Sequence, residues 1–419
     1  MEKVLGIIAE YNPFHNGHLH HLNESKKIAN CKYSVCVMGG NFTQRGSCSL
    51  VDKWSKAKMA ILNGVDLVIE LPVLYSVSSA ENFAYGAVKI LDSLNVVTDI
   101  SFGAESNRID LLDAVADVLT FEPIEFKNLL TDFLDSGVSF PKARECACLK
   151  YFEQQNISFD CSLLKDVLSS PNNILGIEYL KALKKIDSKI VPHVVNRVCS
   201  DYNSVDFKDN IASSTAIRNI VSNNENLDVL KTLMPDSSFS VFMNDFNCGH
   251  VVTGLSCFEK EIFYTLRKLS VSDIANLADV REGLEFKIKR ACGSCNSLDS
   301  FFDVVKSKRF TRTCLQRILL YSLLGITNDV MALSKNVTPY VRVLGFNDNG
   351  KHLLSDISKC CPDLPIITSV KRFVDSCSDY GLNVLLDKDI LASDIYSLAY
   401  SKDSFANLDY TTSLFAFKG

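Results

Sequence analysis

At 419 residues the chain is long enough for two or three domains, and 47% apolar content excludes a disordered or low-complexity protein. Acids outnumber bases by 49 to 44, for a net charge of −5, which excludes a wholly basic nucleic-acid coat while leaving room for a local basic face. No apolar run approaches a membrane span, and Met1-Glu-Lys-Val opens directly into a strand without the basic start and apolar stretch of a signal peptide, so no membrane partner and a cytoplasmic location are expected.

The first hundred residues alternate short apolar strands with amphipathic helices. Strands are predicted at residues 4–9, 33–38, 65–71 and 98–102, with helices at 16–28, 54–62 and 80–91 between them. Strands so uniformly apolar are buried on both faces, which predicts an α/β fold with a parallel, doubly wound, Rossmann-like sheet. Ligands of such sheets bind beyond the carboxyl ends of the strands. The loops at those ends are residues 10–15, 39–46 and 103–106.

The first of these loops runs into the main motif. Four of the seven histidines fall within residues 15–21, and His15-Asn-Gly-His18 has the form HxGH. Pro13 ends the strand, Gly17 leaves the backbone open to a ligand, and His15 and His18 sit three apart on one face of a helix start. Donors and a helix N-terminus then converge on one point, which suits a phosphate and points to attack on the α-phosphate of a nucleoside triphosphate. The plainer alternative is a histidine cluster that only packs; the strand-turn-helix context favours catalysis.

Residues 169–180 read as a polar turn entering a helix, and 190–195 as a strand ending at Asn196-Arg197. Ile211-Ala-Ser-Ser-Thr-Ala-Ile-Arg218 puts hydroxyls at a helix N-terminus, with an arginine one turn in. It is either an ordinary N-cap or a second phosphate clamp facing the first. Beyond about residue 235 helical spacing dominates, so a catalytic domain over 1–235 and a mainly helical accessory domain over 236–419 are expected. A small α/β piece follows, with strands at 340–346 and 365–370 around a helix at 350–359. From Lys287 to Arg317 eight basic residues stand against two acids, a local charge of +6. This is either a solvated helix face or a contact to a nucleic-acid backbone. The 15 cysteines are scattered, and Cys292-Gly-Ser-Cys295 has no second pair or nearby histidine, so no protein metal site is expected.

HxGH near the start and Ser-Ser-Thr-x-Ile-Arg later resemble the nucleotidyltransferase superfamily, with its HUP-type Rossmann-like sheet. Longer runs are more specific: residues 6–18, Val37-Met-Gly-Gly-Asn-Phe-Thr-Gln-Arg-Gly46, Asp52-Lys-Trp-Ser-Lys56, residues 64–72, Pro171-Asn-Asn-Ile-Leu-Gly176 and residues 308–317. These closely resemble the bacterial tRNA(Met) cytidine acetate ligase family, from about residue 3 to beyond 350. The resemblance implies that ATP and acetate, with magnesium, form acetyl-adenylate and release pyrophosphate. The acetyl group then passes to the wobble cytidine of elongator tRNA(Met), giving N(4)-acetylcytidine; neither DNA nor a membrane takes part. Two other readings stay open: a small-molecule nucleotidyltransferase of the dinucleotide or CDP-alcohol type, and an RNA-binding protein without turnover.

By the same resemblance, Ile7, Ile8, Ala9, Glu10, Tyr11, Asn12, Pro13, Phe14, His15, Asn16, Gly17, His18, Leu19 and His20 surround ATP, with His15 and His18 on its phosphates as the catalytic pair. Gly103, Asn172 and Arg197 complete the nucleotide contacts, and Ser214, Thr215 and Arg218 grip the pyrophosphate end. Lys53 and Arg45 are read as substrate contacts or solvated loop charges, and His20 and His21 as positioning or surface residues. The tRNA backbone is expected on Lys287, Lys289, Arg290, Lys306, Lys308, Arg309, Arg312 and Arg317.

Overall fold

The computed structural model describes residues 2–155, 161–197, 211–223, 225–337 and 340–418. Among these residues eight strands form one sheet: β1 (Val4–Ala9), β2 (Tyr33–Gly39), β3 (Leu67–Leu71), β4 (Asp99–Ala104), β5 (Val191–Asn196), β6 (Val341–Phe346), β7 (Ile366–Ile367) and β8 (Phe415–Ala416). Their order is β5-β4-β1-β2-β3-β6-β7, with β8 also beside β6. The first five strands are all parallel. Chain order runs outward in both directions from β1, so the switch point, where ligands of such sheets bind, lies at the carboxyl end of β1 and its neighbours.

Alternation along the strands divides the core. Val35 and Val37 of β2 enter one apolar cluster while Cys36 and Met38 enter the other, so the sheet is covered on both faces. The crossover helices begin where short polar side chains can cap them. Asp52 accepts from the Ser55 N–H at 2.8 Å to open the helix Lys53–Leu62, and Ser79 accepts from Asn82 at 3.3 Å to open Ala80–Ser93. Among the described residues, no helix is long and apolar enough to cross a membrane.

The late strand predicted at 340–346 forms as β6 and pairs antiparallel with β3, so the α/β piece of the second half shares the sheet of the first. The strand predicted over 365–370 shortens to Ile366–Ile367, because Ser369 caps a helix that begins at Val370. Around β3 and β6 lies a buried charge cluster. Lys53 donates to both oxygens of Glu70, at 2.9 and 3.0 Å, and to Asp409 at 2.7 Å, while Arg342 pairs with the same two carboxylates. Lys53 is therefore neither a substrate contact nor a solvated loop charge. Its counter-ions lie 17 and 356 residues away, where local pattern cannot show them. Nearby Asp389 accepts from the Val73 N–H at 2.6 Å and from the Tyr340 hydroxyl, and burial beside Glu70 raises its carboxyl.

The second half adds the helices Glu259–Lys268, Leu284–Ser294, Leu298–Val305 and Arg312–Leu324, which pack on one another through Ile262, Ile288, Phe301 and Leu315. The helix Tyr380–Ser397 lies against Arg312–Leu324 and against the short helix Val73–Ser76, tying this half to the sheet.

Candidate active site

After β1 the chain turns through residues 10–14 into the helix Asn16–Ala29. Asn12 fastens the turn, donating to the Cys48 carbonyl at 3.2 Å and accepting from the Leu50 N–H at 2.7 Å. Phe14 and His18 meet the Tyr11 ring edge-on, with centroids 4.8 and 4.9 Å away, which stiffens the turn from within. Ile7 is fully buried, Ile8 and Ala9 are half-buried, and Leu19 packs on the core beneath the helix.

His15 caps this helix. Its Nδ1 accepts from the Gly17 N–H at 3.0 Å, so the neutral ring carries its proton on Nε2, which lies 2.9 Å from the Ser214 hydroxyl oxygen. His18 accepts in turn from the His15 N–H at 3.3 Å, and its ring stacks on that of His15 with centroids 3.8 Å apart. Burial, then the charges of Arg197 and Arg218, push His15 down to about 3. Burial, His15 and Arg197 hold His18 well below the ordinary imidazole value, against an opposing hydrogen bond to the Pro13 backbone. Both rings are neutral donors at neutral pH, able to hold a phosphate oxygen without giving up a proton. Gly17 is required for this arrangement, since a Cβ there would stand 2.9 Å from His15 Cε1.

The two motifs meet although 199 residues separate His15 from Ser214. Ser213 provides the N-cap of the helix Ser214–Ser222, accepting from the Ala216 N–H at 3.1 Å, which leaves the Ser214 hydroxyl turned toward His15. Arg218 donates to the Asn12 carbonyl at 2.8 Å and to the Thr215 hydroxyl at 3.0 Å, so the late helix sits directly over the early turn. Asn16 extends this contact by donating to the Thr232 carbonyl at 2.9 Å.

Across the switch point, Arg197 donates to Asn172 Oδ1 at 2.9 Å, and a Cβ on Gly103 would stand 3.2 Å from the arginine's Cγ. Sequence reasoning missed Glu105, which accepts from Asn172 Nδ2 at 2.6 Å and the Asn173 N–H at 2.9 Å at the start of the helix Pro171–Lys185. Its signal was its place in the loop 103–106, past a strand's carboxyl end. His21 also belongs here. Burial, Arg197 and His20 push it down to about 4, opposed by a hydrogen bond to the Phe102 backbone, while His20 is half-buried. Glu10 accepts from the Gln44 N–H at 2.6 Å, so it holds the loop 39–46. Among the described residues, no group of three or more His, Cys, Asp or Glu side chains could hold a metal ion.

The basic segment divides. Lys287, Arg290, Lys306, Lys308, Arg309 and Arg312 are exposed, Arg309 and Arg312 resting on Glu282 and Asp299 at 2.8 and 2.7 Å. Lys289 instead donates to the Leu266, Arg267 and Leu269 carbonyls at the end of the helix Glu259–Lys268. The Arg317 side chain is largely covered, beside Asp279 at 3.5 Å. The loop 39–46 touches the helix Arg312–Leu324 that carries Arg317. A Cβ on Gly46, whose φ is +75°, would fall 2.5 Å from the Arg317 nitrogen, so glycine alone allows this contact, and Arg45 beside it is exposed.

The sequence profile of the HIGH Nucleotidyl Transferase family matches residues 2–410. The tRNA(Met) cytidine acetate ligases of Thermoanaerobacter sp. (strain X514) and Clostridium tetani (strain Massachusetts / E88) are 42% and 43% identical over 407 residues. The matches cover 97% and 95% of this chain and 98% and 96% of those proteins. The apo crystal structure of Thermotoga maritima TmcAL superposes with a TM-score of 0.93 at 32% identity over 100% of both chains. A second structure of that protein, bound with alpha-thio ATP, superposes with a TM-score of 0.92. With the family profile matched over nearly the whole chain, relatives above 40% identical over almost their full length and the fold shared end to end, the chain belongs to the HIGH nucleotidyl transferases, in the branch of the tRNA(Met) cytidine acetate ligases.

Proposed function

We propose that the protein activates acetate with ATP to acetyl-adenylate and transfers the acetyl group to the wobble cytidine of elongator tRNA(Met), giving N(4)-acetylcytidine in the cytoplasm. The observation that carries this reading is the contact of His15 with Ser214, which brings stacked neutral imidazoles, the N-termini of two helices and the charges of Arg197 and Arg218 to one place at the strand ends. Such a site offers donors and positive field from rings that are already neutral. That suits a step in which the carboxylate oxygen attacks the α-phosphorus and pyrophosphate leaves.

In this reading His15 and His18 donate to the α-phosphate as charge develops on it, and Ser214, Thr215 and Arg218 hold the departing pyrophosphate. Asn172, Arg197 and the backbone at Gly103 position the nucleoside, with Glu105 setting the Asn172 amide. Among the described residues no carboxylate cage for magnesium is formed, so an ion arriving with the triphosphate would keep phosphate and water ligands. The chemistry of the second half needs little beyond proximity, because an acyl-adenylate is already an activated mixed anhydride. We assign catalysis to residues 1–235, with β6, β7 and β8 lent back to their sheet, and RNA presentation to residues 236–419. Lys287, Arg290, Lys306, Lys308, Arg309 and Arg312 meet the tRNA backbone there.

The direct test incubates the protein with ATP, acetate and tRNA(Met), following pyrophosphate and the modified nucleoside separately. Acetate-dependent pyrophosphate release and acetylation of the wobble cytidine are the expected results. Release that never requires acetate, or transfer of AMP to a small alcohol, would put the chain among nucleotidyltransferases of another specificity.

A further inference from the structure

Lys56 lies in the run 52–56, has no part in the contacts assigned above, and is fully buried. From the first turns of the helix Lys53–Leu62 its ammonium reaches the carbonyls of Glu10 at 3.0 Å, Gly39 at 2.7 Å and Gly40 at 2.6 Å, and the Ser49 hydroxyl at 2.9 Å. Four acceptors surround a group with three N–H bonds, and no carboxylate is among them. The carbonyls belong to the residue after β1, the last residue of β2 and the one following it. One cation therefore ties together the carboxyl ends of the two central strands, from which the HxGH turn and the loop 39–46 depart. Glu10, whose carbonyl Lys56 holds, uses its own carboxylate to hold the Gln44 N–H of that same loop.

We propose that Lys56 is a positioning residue for the activation step: its buried ammonium pins the bases of the HxGH turn and the 39–46 loop to each other, fixing where the histidine donors stand relative to the incoming carboxylate. The inference rests on the acetate-activating reading above. It follows from geometry that a displacement of about 1 Å in a donor set can cost about 100-fold in rate. A neutral amine would keep two N–H bonds for four acceptors and would lose the charge that draws three carbonyl dipoles inward. Burial lowers the ammonium to about 8, opposed by the carboxylates of Glu10, Glu70 and Asp52, while the neighbouring Cys36 thiol is itself held protonated by burial. The tie therefore loosens as the pH rises through about 8. An arginine at the same position stays charged throughout that range.

The experiment measures acetate-dependent pyrophosphate release by the full-length protein and its Lys56→Met and Lys56→Arg variants across the alkaline range, with kcat and the KM for ATP separated. In Lys56→Met, kcat falls by about tenfold or more while the KM for ATP moves less. The wild type loses kcat above the lysine's titration, and Lys56→Arg keeps activity without that alkaline limb. Equal activity in Lys56→Met and wild type, or the same alkaline limb in Lys56→Arg as in wild type, overturns the proposal. The second comparison stands even where the methionine variant does not fold. A wild type that releases no pyrophosphate in response to acetate overturns the functional reading itself, whereas an active wild type with an indifferent Lys56 overturns only this inference.

Discussion

The cluster around Glu70 and the HxGH turn around His15 are both buried, both polar and built on the same sheet, yet they treat charge in opposite ways. At Glu70, two cations meet two carboxylates within the protein, and four distant segments of chain are joined by the pairing. At the HxGH turn, the charges of Arg197 and Arg218 bear on imidazoles that burial keeps neutral, so the rings act through hydrogen bonds rather than as members of ion pairs. Charge cancelled inside the protein holds the fold; neutral rings held beside guanidiniums are suited to meet an anion.

Breaking the first region is the larger perturbation. Glu70→Gln leaves Lys53 and Arg342 sharing one carboxylate, and removing one partner of a buried pair typically costs about 3–5 kcal/mol. Urea denaturation should show that loss with and without ATP alike; an effect confined to activity would mean that the cluster serves catalysis instead. In the second region, His15→Ala should lower acetate-dependent pyrophosphate release by about 10²–10³, the usual effect of one lost donor at a developing charge, at ~2.7–4 kcal/mol. Its unfolding should change by no more than the ~0.5–2 kcal/mol of a lost helix cap.

Acid distinguishes the regions more gently. His15 sits at about 3 when folded against an ordinary 6.5, so between these values the unfolded chain binds more protons than the native one. Its contribution to stability is whole above 6.5 and declines as the pH falls toward 3. Denaturation midpoints of the wild type and His15→Gln should therefore converge as the solution is acidified. A gap that is constant with pH would show that the ring is not held neutral. The smallest effects belong to the exposed basic face. Reversing Lys308, Arg309 and Arg312 together should leave acetate activation and stability nearly untouched, since exposed pairs such as Arg309–Glu282 contribute about 0–1 kcal/mol. It should weaken tRNA binding and flatten its salt dependence by about two units of slope. An unchanged slope would place the RNA elsewhere.

What could be read from sequence was what is local. Apolar runs at 4–9 and 33–38 became β1 and β2, and HxGH sits at the predicted helix start, because alternation, the turn and the cap all lie within a few residues. Ser214 was legible as a motif, though its distance to His15 was not, and Ser213 shares the role of cap that the motif alone left undecided. Long-range pairing was invisible: nothing near residue 341 announces that β6 completes the edge of β3. Lys53 and Lys56 show the same limit most sharply. Three residues apart and outwardly similar, they are buried against carboxylates and against carbonyls. Likewise Lys289 and Arg317 belong to the basic run by composition, but helix packing commits them to protein neighbours.

The Lys53–Asp409 pair also has a consequence for how the protein is made. A ribosome working at roughly 5–20 residues per second needs roughly 20–70 s to span the 356 positions between them. Throughout that interval the nascent N-terminal half carries a lysine whose final counter-ion has not yet been synthesised. A chain truncated just short of residue 409 would keep the pairs of Lys53 and Arg342 with Glu70 but leave both cations without their second carboxylate.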